Sequence, residues 1–557
     1  MYLVTNSGYL LKLKTVTIKT VSSDFYNLHF CGGFFLILRL YLCLTINQQI
    51  FIKMKKLVTG AFVVLSASFT YAQNSSNDVT QTGNNNSAAV TQLGLQSYGN
   101  ENVTSQTGNR NDVNVYQRSN SARNKAETTQ NGSWNDASVS QGQGFSAGGV
   151  EVKQNQSGWY NDVAATQQFT YGSKIEQVQD GWFNGASATQ GGGDVRSKIY
   201  QNQDGNGNTA TASQSQVGYT RPTGVYSTAN DIRQIQEGNL NSVTGSQVGY
   251  LNDLDQVQDG QANTATASQD GTNNKISQTQ EGWFNEASAT QSGSGHIATQ
   301  TQDGWLNDAT STQSGSSNTA TQTQIGDGNM SQSTQSGSSS SASQTQTGDD
   351  NDAMANQSGG SSNTITQDQD GDDNEANATQ IGSSNSAVQT QEGLRNTADG
   401  YQSGNNNSLN VFQDGNDNEA SVEQRNNYNY ADIDQIGNGN YASADQRGTA
   451  NSNANRNSAV IYQQGNDNSS TAVQSVGRSN SLISNQYGND NISESIQMGS
   501  GNLATVNQGS MSLSANSNES FITQNGNNNN ATISQMTSGN THTSMQIGNA
   551  NVVTVNQ

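Results

Sequence analysis

A glutamine returns every eleventh residue along the middle of this chain: Gln236, Gln247, Gln258, Gln269, Gln280, Gln291, Gln302, Gln313, Gln324, Gln335, Gln346 and Gln357. Between them runs Q-x-G-x-x-N-x-[AVTS]-x-x-x-Q, with glycines at Gly238, Gly249, Gly260, Gly282, Gly304 and Gly326 and asparagines at Asn241, Asn285, Asn307 and Asn329. The true period is twice as long. Two residues before each ladder glutamine, one arm carries a second glutamine (Gln234, Gln256, Gln278, Gln300, Gln322, Gln344). The other arm carries a small residue there (Gly245, Ala267, Ala289, Ser311, Ser333, Ala355). The unit is therefore 22 residues, made of two similar but unequal halves.

That period has a physical meaning. Side chains alternate across an extended strand, so Asn285, Ala287, Ala289 and Gln291 point to one side and the polar Glu286, Ser288 and Thr290 to the other. Gly282 offers the permissive backbone of a tight reversal. Strand, turn, strand and turn close one rung, and the next rung stacks about 4.8 Å away. Like residues then lie above like residues, and stacked glutamine and asparagine amides can bond along the axis. The expected fold is all-β: a β-solenoid, or cross-β stack, of 22-residue strand-turn-strand-turn repeats.

The same motif, doubled to 22 residues and repeated over nearly the whole chain after Gln73, resembles the curlin repeat of curli fibre subunits. The resemblance implies an extracellular functional amyloid: a secreted, non-enzymatic subunit that polymerises into adhesive, biofilm-forming fibres on the bacterial surface. It implies as partners other copies of the chain, further curlin-like subunits and an outer-membrane export machinery. The sequence departs from the family in one respect. Curli subunits usually carry a non-repeat targeting segment after the signal, and here only a few residues separate Gln73 from Gln81. A monomeric β-solenoid surface adhesin, binding a ligand along one face, is the alternative reading.

Composition alone points elsewhere. With 12% charged residues, 30% hydrophobic residues and 58 glycines, the chain reads as a disordered, Gln/Asn-rich polymer. Regular spacing argues against that, because disorder requires no glutamine at every eleventh position. The net charge of −21 and the lack of a basic patch exclude a nucleic-acid partner.

Taken in order, residues 1–53 resemble nothing that follows, hold both cysteines, and read as a mis-called N-terminal extension. Met54 opens a secretory signal (54–72): Lys55 and Lys56, an apolar run from Leu57 to Phe69, then Thr70-Tyr71-Ala72. The repeat array occupies 73–557, with insertions near 217–231 (which holds Pro222), 447–462 and 509–523, and single-residue slips after Gln357 and after Gln474.

Catalytic chemistry has no motif to stand on: no serine-histidine-aspartate spacing, no phosphate loop and no HExxH is present. His296 sits where the arm places asparagine and is expected to replace it in the ladder. The acidic turns Asp349–Asp352 and Asp370–Glu375 are oxygen-rich like calcium loops. They lack the nonapeptide calcium-helix pattern and read as solubilising turns, so no metal or cofactor is expected. All five tryptophans (Trp134, Trp159, Trp182, Trp283, Trp305) fall between the turn glycine and its asparagine, where they either staple the turn or form a contact edge. An ice-binding solenoid would need unbroken threonine rows. The series Thr244, Thr266, Ser288, Thr310, Gln332 loses its threonine twice.

Overall fold

The computed structural model describes residues 75–557 apart from 95–98, 120–122, 144–148, 194–195, 217–228 and 449–451. It also gives the backbone of 2–4, 10–12 and 65–70. The chain divides into two units, Met1–Gln48 and Gln49–Gln557. In the first, Tyr2–Val4 and Leu10–Lys12 pair antiparallel. The remainder of the proposed extension lies outside the described residues, as does the proposed signal apart from Leu65–Thr70 and Pro222 with most of its insertion.

The second unit is a parallel β-solenoid. Each 22-residue repeat supplies one strand to each of two sheets, as Lys275–Trp283 does to one and Glu286–Ser294 to the other. Every strand pairs in parallel with its counterparts one repeat away: Gln258 pairs with Gln280, and Gln280 with Gln302. One sheet runs from Ser76–Asn84 to Val552–Asn556 and carries the double glutamines. The other runs from Leu65–Thr70 to Thr541–Ile547, and each holds 21 described strands.

Alternation decides which residues are inside. In the repeat from Lys275, the inward set is Ile276, Gln278, Gln280, Asn285, Ala287, Ala289, Gln291 and His296, all essentially inaccessible. Five of these eight inward residues are polar, so the interior cannot be held by apolar burial alone. The apolar minority forms columns of alanine, valine, isoleucine and leucine between the amides.

Most irregularities cluster. Extra residues at 95–98, 120–122, 144–148, 194–195 and 217–228 all follow strands of the single-glutamine sheet, whereas the third insertion follows Leu503–Gln508 of the other sheet. The insertion after Gln446 also follows a strand of the single-glutamine sheet and includes a short 3-10 turn, Asn453–Asn455. The single-residue slips appear as register shifts at Ser336/Ser338 opposite Asp352–Ser361 and at Gln474/Val476. The third insertion is shorter than its sequence spacing indicates. Glu519 already opens a paired strand, because the ladder resumes at Asn518, six residues before the next periodic glutamine, Gln524.

Candidate functional site

The functional architecture is a set of continuous side-chain columns. Gln236, Gln258, Gln280, Gln302, Gln324 and Gln346 form one, each Nε2 donating to the Oε1 of the next at 2.7–3.0 Å. Gln247, Gln269, Gln291, Gln313, Gln335 and Gln357 form another at 2.8–3.0 Å. The second N–H of each amide crosses the interior. Gln280 donates to the Thr264 carbonyl (3.0 Å) and Gln302 to the Glu286 carbonyl (2.8 Å), both on the facing sheet. Each glutamine thus holds its rung to the next and one sheet to the other, with no buried N–H left over.

The second-glutamine column extends beyond its regular block, from Gln154 through Gln177 and Gln201 up to Gln389. Beyond either end the position becomes Thr128 or Val411. The facing position changes with it: small residues such as Ala289 and Gly400 lie opposite glutamine, while Val422 lies opposite Val411. Gly245 is small for a further reason, since a methyl group there would lie 2.6 Å from Cδ2 of Leu254.

Asparagines also bond to one another along the axis, as Asn307 Nδ2 does to Asn285 Oδ1 at 3.1 Å, but they add backbone partners of their own. Asn285 Oδ1 accepts the backbone N–H of Asn307 at 3.0 Å, and Asn307 Oδ1 accepts that of Asn329 at 3.0 Å. Asn241 serves Asn263 in the same way at 3.0 Å. Their Nδ2 groups reach the turn glycines: Asn241 to the Gly260 carbonyl (3.1 Å), Asn285 to Gly304 (3.0 Å), Asn307 to Gly326 (2.8 Å) and Asn329 to Gly348 (2.7 Å). Motif glycine and motif asparagine therefore act as a pair across successive rungs.

This pairing brings glycine backbones together. A methyl group on Gly238, Gly249, Gly260, Gly282, Gly304 or Gly326 would lie 1.9–2.2 Å from the carbonyl oxygen of the glycine in the next rung. These residues end the strands at positive φ. The reversal itself falls two residues later, at positions such as Phe284 (φ 57) and Leu306 (φ 56). Sequence reasoning placed the turn on the glycine because it saw the backbone permission and not the neighbouring rung.

His296 is completely buried in the second asparagine column. Its backbone N–H donates to Asn274 Oδ1 (3.0 Å), its Nδ1 accepts the Asn318 N–H (3.3 Å), and its Nε2 lies 3.2 Å from the Ser292 carbonyl. The neutral ring reproduces an asparagine, with one acceptor facing up and one donor facing the turn. Burial lowers its pKa from the ordinary 6.5, while hydrogen bonds to the Ser292 and Gly315 carbonyls oppose the shift. The unfolded chain then takes up the proton first as pH falls. The histidine's contribution is complete above the ordinary value and is lost as pH drops through the folded one. We expect His296→Asn to abolish this local acid loss. Hydrogen exchange of rungs 275–318 at about pH 7 and about pH 4.5 should differ less in the variant than in the parent.

The turn acids have a structural duty. Asp349 Oδ1 accepts the Asp327 N–H at 2.9 Å and Asp372 Oδ1 accepts the Asp349 N–H at 3.0 Å. Asn416 and Asn438 play the same part for the residues below them. This exposed acceptor column was legible as the Asp/Asn enrichment directly after the motif glycine, a signal the sequence reading spent on solubility. Among the described residues no three histidine, cysteine or acidic side chains converge as a metal site would. Elsewhere carboxylates stack at strand starts, with Asp112, Asp136 and Asp162 on successive rungs. Burial raises the Asp136 pKa, and the Asp162 and Asp112 charges raise it further. Burial also raises Asp162, Asp231, Asp308 and Asp352.

The tryptophans stack face to face at one corner. Trp159 lies 5.5 Å from Trp182 and Trp283 5.3 Å from Trp305. Beside the first pair, Trp134, Tyr160 and Phe183 form a second column at 5.6 and 5.0 Å, closed below by the Arg110 guanidinium at 4.3 Å from Trp134. The rings staple neighbouring turns, and about half of each Trp159 and Trp182 side chain remains exposed. Farther up, the same corner becomes acidic at Asp327, Asp349 and Asp372.

Together these columns define the class: a parallel β-solenoid whose interior is a hydrogen-bonded amide lattice. Residues 404–435 and 415–448 match the family model of the curlin associated repeat, and this part of the chain carries curlin associated repeats. No curated protein matches the chain. The matched segment comprises ordinary rungs of the stack, its strands Ser408–Asn416, Glu419–Arg425 and Asn429–Asn438 in register with those on either side.

Proposed function

We propose that this chain is a secreted, non-enzymatic curli-like subunit that polymerises end to end into extracellular amyloid fibres for surface adhesion and biofilm matrix. The observation that carries this reading is the polarity of the columns. Every ladder glutamine from Gln81 to Gln535 donates up the stack, and the buried asparagine columns accept on Oδ1 from the rung above, from Asn86 to Asn529. Exposed turn acceptors such as Asn416 run the other way. The last rung here offers upward the amide of Gln557, an N–H of Gln546 and the Oδ1 atoms of Asn540 and Asn551. The first full rung offers downward the Oε1 atoms of Gln81 and Gln92 and the backbone N–H of Asn86. Donor meets acceptor at each position when one copy stacks on another, and unpaired strand edges add their ladders.

In this reading the signal 54–72 is removed. The backbone of Leu65–Thr70 pairs with Ser87–Gly94, so cleavage near Gln73 also frees that strand for the next copy. The partners are other copies, curlin-like subunits and an outer-membrane exporter.

Assembly should be faster in acid. Carboxyls such as Asp136 and Asp231 have raised values in the stack, so stacking takes up protons. Their contribution is full below the ordinary 3.8 and is lost as pH rises through the folded value. The test is to recover the secreted chain, read its first residue by mass spectrometry, unfold it, and follow thioflavin fluorescence on dilution. We expect a start at or near Gln73, seeded fibre growth, and shorter lag times at about pH 5 than at about pH 8, with salt narrowing the gap. A chain that refolds at high concentration as a stable monomer would instead favour the single-molecule adhesin.

A further inference from the structure

The outer wall of the double-glutamine sheet changes character in its middle. Below, it carries cross-rung ion pairs such as Lys153–Glu176 and Arg233–Asp255. Then Ser277, Thr299, Thr321, Ser343 and Thr366 form one column, and Thr279, Thr301, Thr323 and Thr345 form the next, in unbroken parallel register. A third column adds Thr319, Ser341 and Thr364. Charge flanks the array at Lys275, Glu281 and Asp303, and Asp368 ends the second column above Thr345. The residues of the first two columns are partly exposed, and among the described residues none of their hydroxyls has a protein partner.

Such an array is a two-dimensional lattice of hydroxyls. Its repeat is about 4.8 Å up the stack and about 6.6 Å along the strand. The central Thr299, Thr301, Thr321 and Thr323 are stiff at χ1, which restricts each hydroxyl and its methyl, while Ser277, Ser341 and Ser343 supply the hydroxyl alone. Behind the wall, the amide columns Gln278–Gln300–Gln322–Gln344 and Gln280–Gln302–Gln324–Gln346 keep the rungs evenly spaced at 2.8–3.0 Å per bond. Uncharged hydroxyls alternating with methyls do not impose the strong radial hydration of ions. Water bridging them is instead drawn into a planar net with a repeat near that of hexagonal ice.

We propose that this wall, centred on Thr299, Thr301, Thr321 and Thr323, binds the surface of ice crystals. The series Thr244, Thr266, Ser288, Thr310, Gln332 lies on the opposite sheet, where Gln332 breaks the run of hydroxyls. The first column here also has serine, at Ser277 and Ser343, but keeps a hydroxyl at every rung. The array here lies on the double-glutamine arm. The activity does not depend on fibre formation, since a single chain carries the complete lattice.

The test uses residues 73–557 in the soluble state, assayed for thermal hysteresis, crystal faceting and inhibition of ice recrystallisation. The parent is expected to facet ice and to slow recrystallisation. Thr321→Asp with Thr323→Asp should abolish both. The wall accepts acids at these columns elsewhere, at Asp255 and Asp368, so an unchanged circular dichroism spectrum is expected. Thr266→Asp on the other wall should leave ice activity intact. No effect of the parent on ice, or equal effects of parent and double variant, would overturn the proposal. So would retention on crystalline cellulose or chitin without any action on ice, which would assign the wall to a glycan.

Discussion

Leucine in place of Gln302 is expected to destabilise the array by about 2–4 kcal/mol. The substitution orphans the Gln280 N–H and the Gln324 Oε1 and removes the bond to the Glu286 carbonyl. Unpaired buried groups cost about 1–3 kcal/mol each, and the sum exceeds the roughly 1.5–3 kcal/mol that a buried leucine contributes. The triple change Gln280→Leu, Gln302→Leu and Gln324→Leu orphans amides only at Gln258 and Gln346, the ends of the gap. Its cost should therefore fall well short of three single costs. Guanidinium unfolding of residues 73–557 followed by circular dichroism measures both. Additive losses would show that each glutamine acts through its own burial rather than through a shared column. The triple variant should also nucleate fibres more slowly, because the amides specify register.

Alanine at Gly304 is expected to cost about 3 kcal/mol or more. The residue holds φ +126, a region closed to other residues, and its new methyl would lie 2.0 Å from the Gly326 carbonyl oxygen. That oxygen is also the acceptor for Asn307 Nδ2, so relief by backbone movement breaks the glycine-asparagine pair as well. Gly185 is the control, because it has no atom within 4 Å of an added methyl and no positive φ. Gly185→Ala should stay within about 0.5 kcal/mol of the parent or improve on it. Thermal melts together with hydrogen exchange over rungs 297–329 distinguish the two sites. Equal tolerance at both would show that rung spacing is not set by glycine contact.

Much of this architecture could be read along one dimension. The period of 22, the division into two unequal arms and the inward set Asn285, Ala287, Ala289, Gln291 follow from alternation within a strand, which is local. His296 was legible for the same reason, since it occupies an asparagine position in an otherwise unbroken series. The phase slips after Gln357 and Gln474 were visible as counts and reappear as register shifts.

That like amides bond along the axis was legible too; their further partners were not, because each depends on what lies about one repeat away and on the direction in which a donor turns. Which further partners a ladder amide takes was decided by reach. Glutamine is long enough to meet both the next glutamine and the facing sheet, whereas asparagine, at the corner, adds glycine carbonyls and backbone N–H groups to bonds with its own kind such as Asn307 Nδ2 to Asn285 Oδ1. The sequence by itself determined the repeat, the register and the identity of the buried columns, because periodicity and alternation are properties of the chain. Only the tertiary structure decided how closely successive turn glycines approach, where the aromatic rings stack and which wall carries the uninterrupted hydroxyls. Those depend on the roughly 4.8 Å approach of one rung to the next.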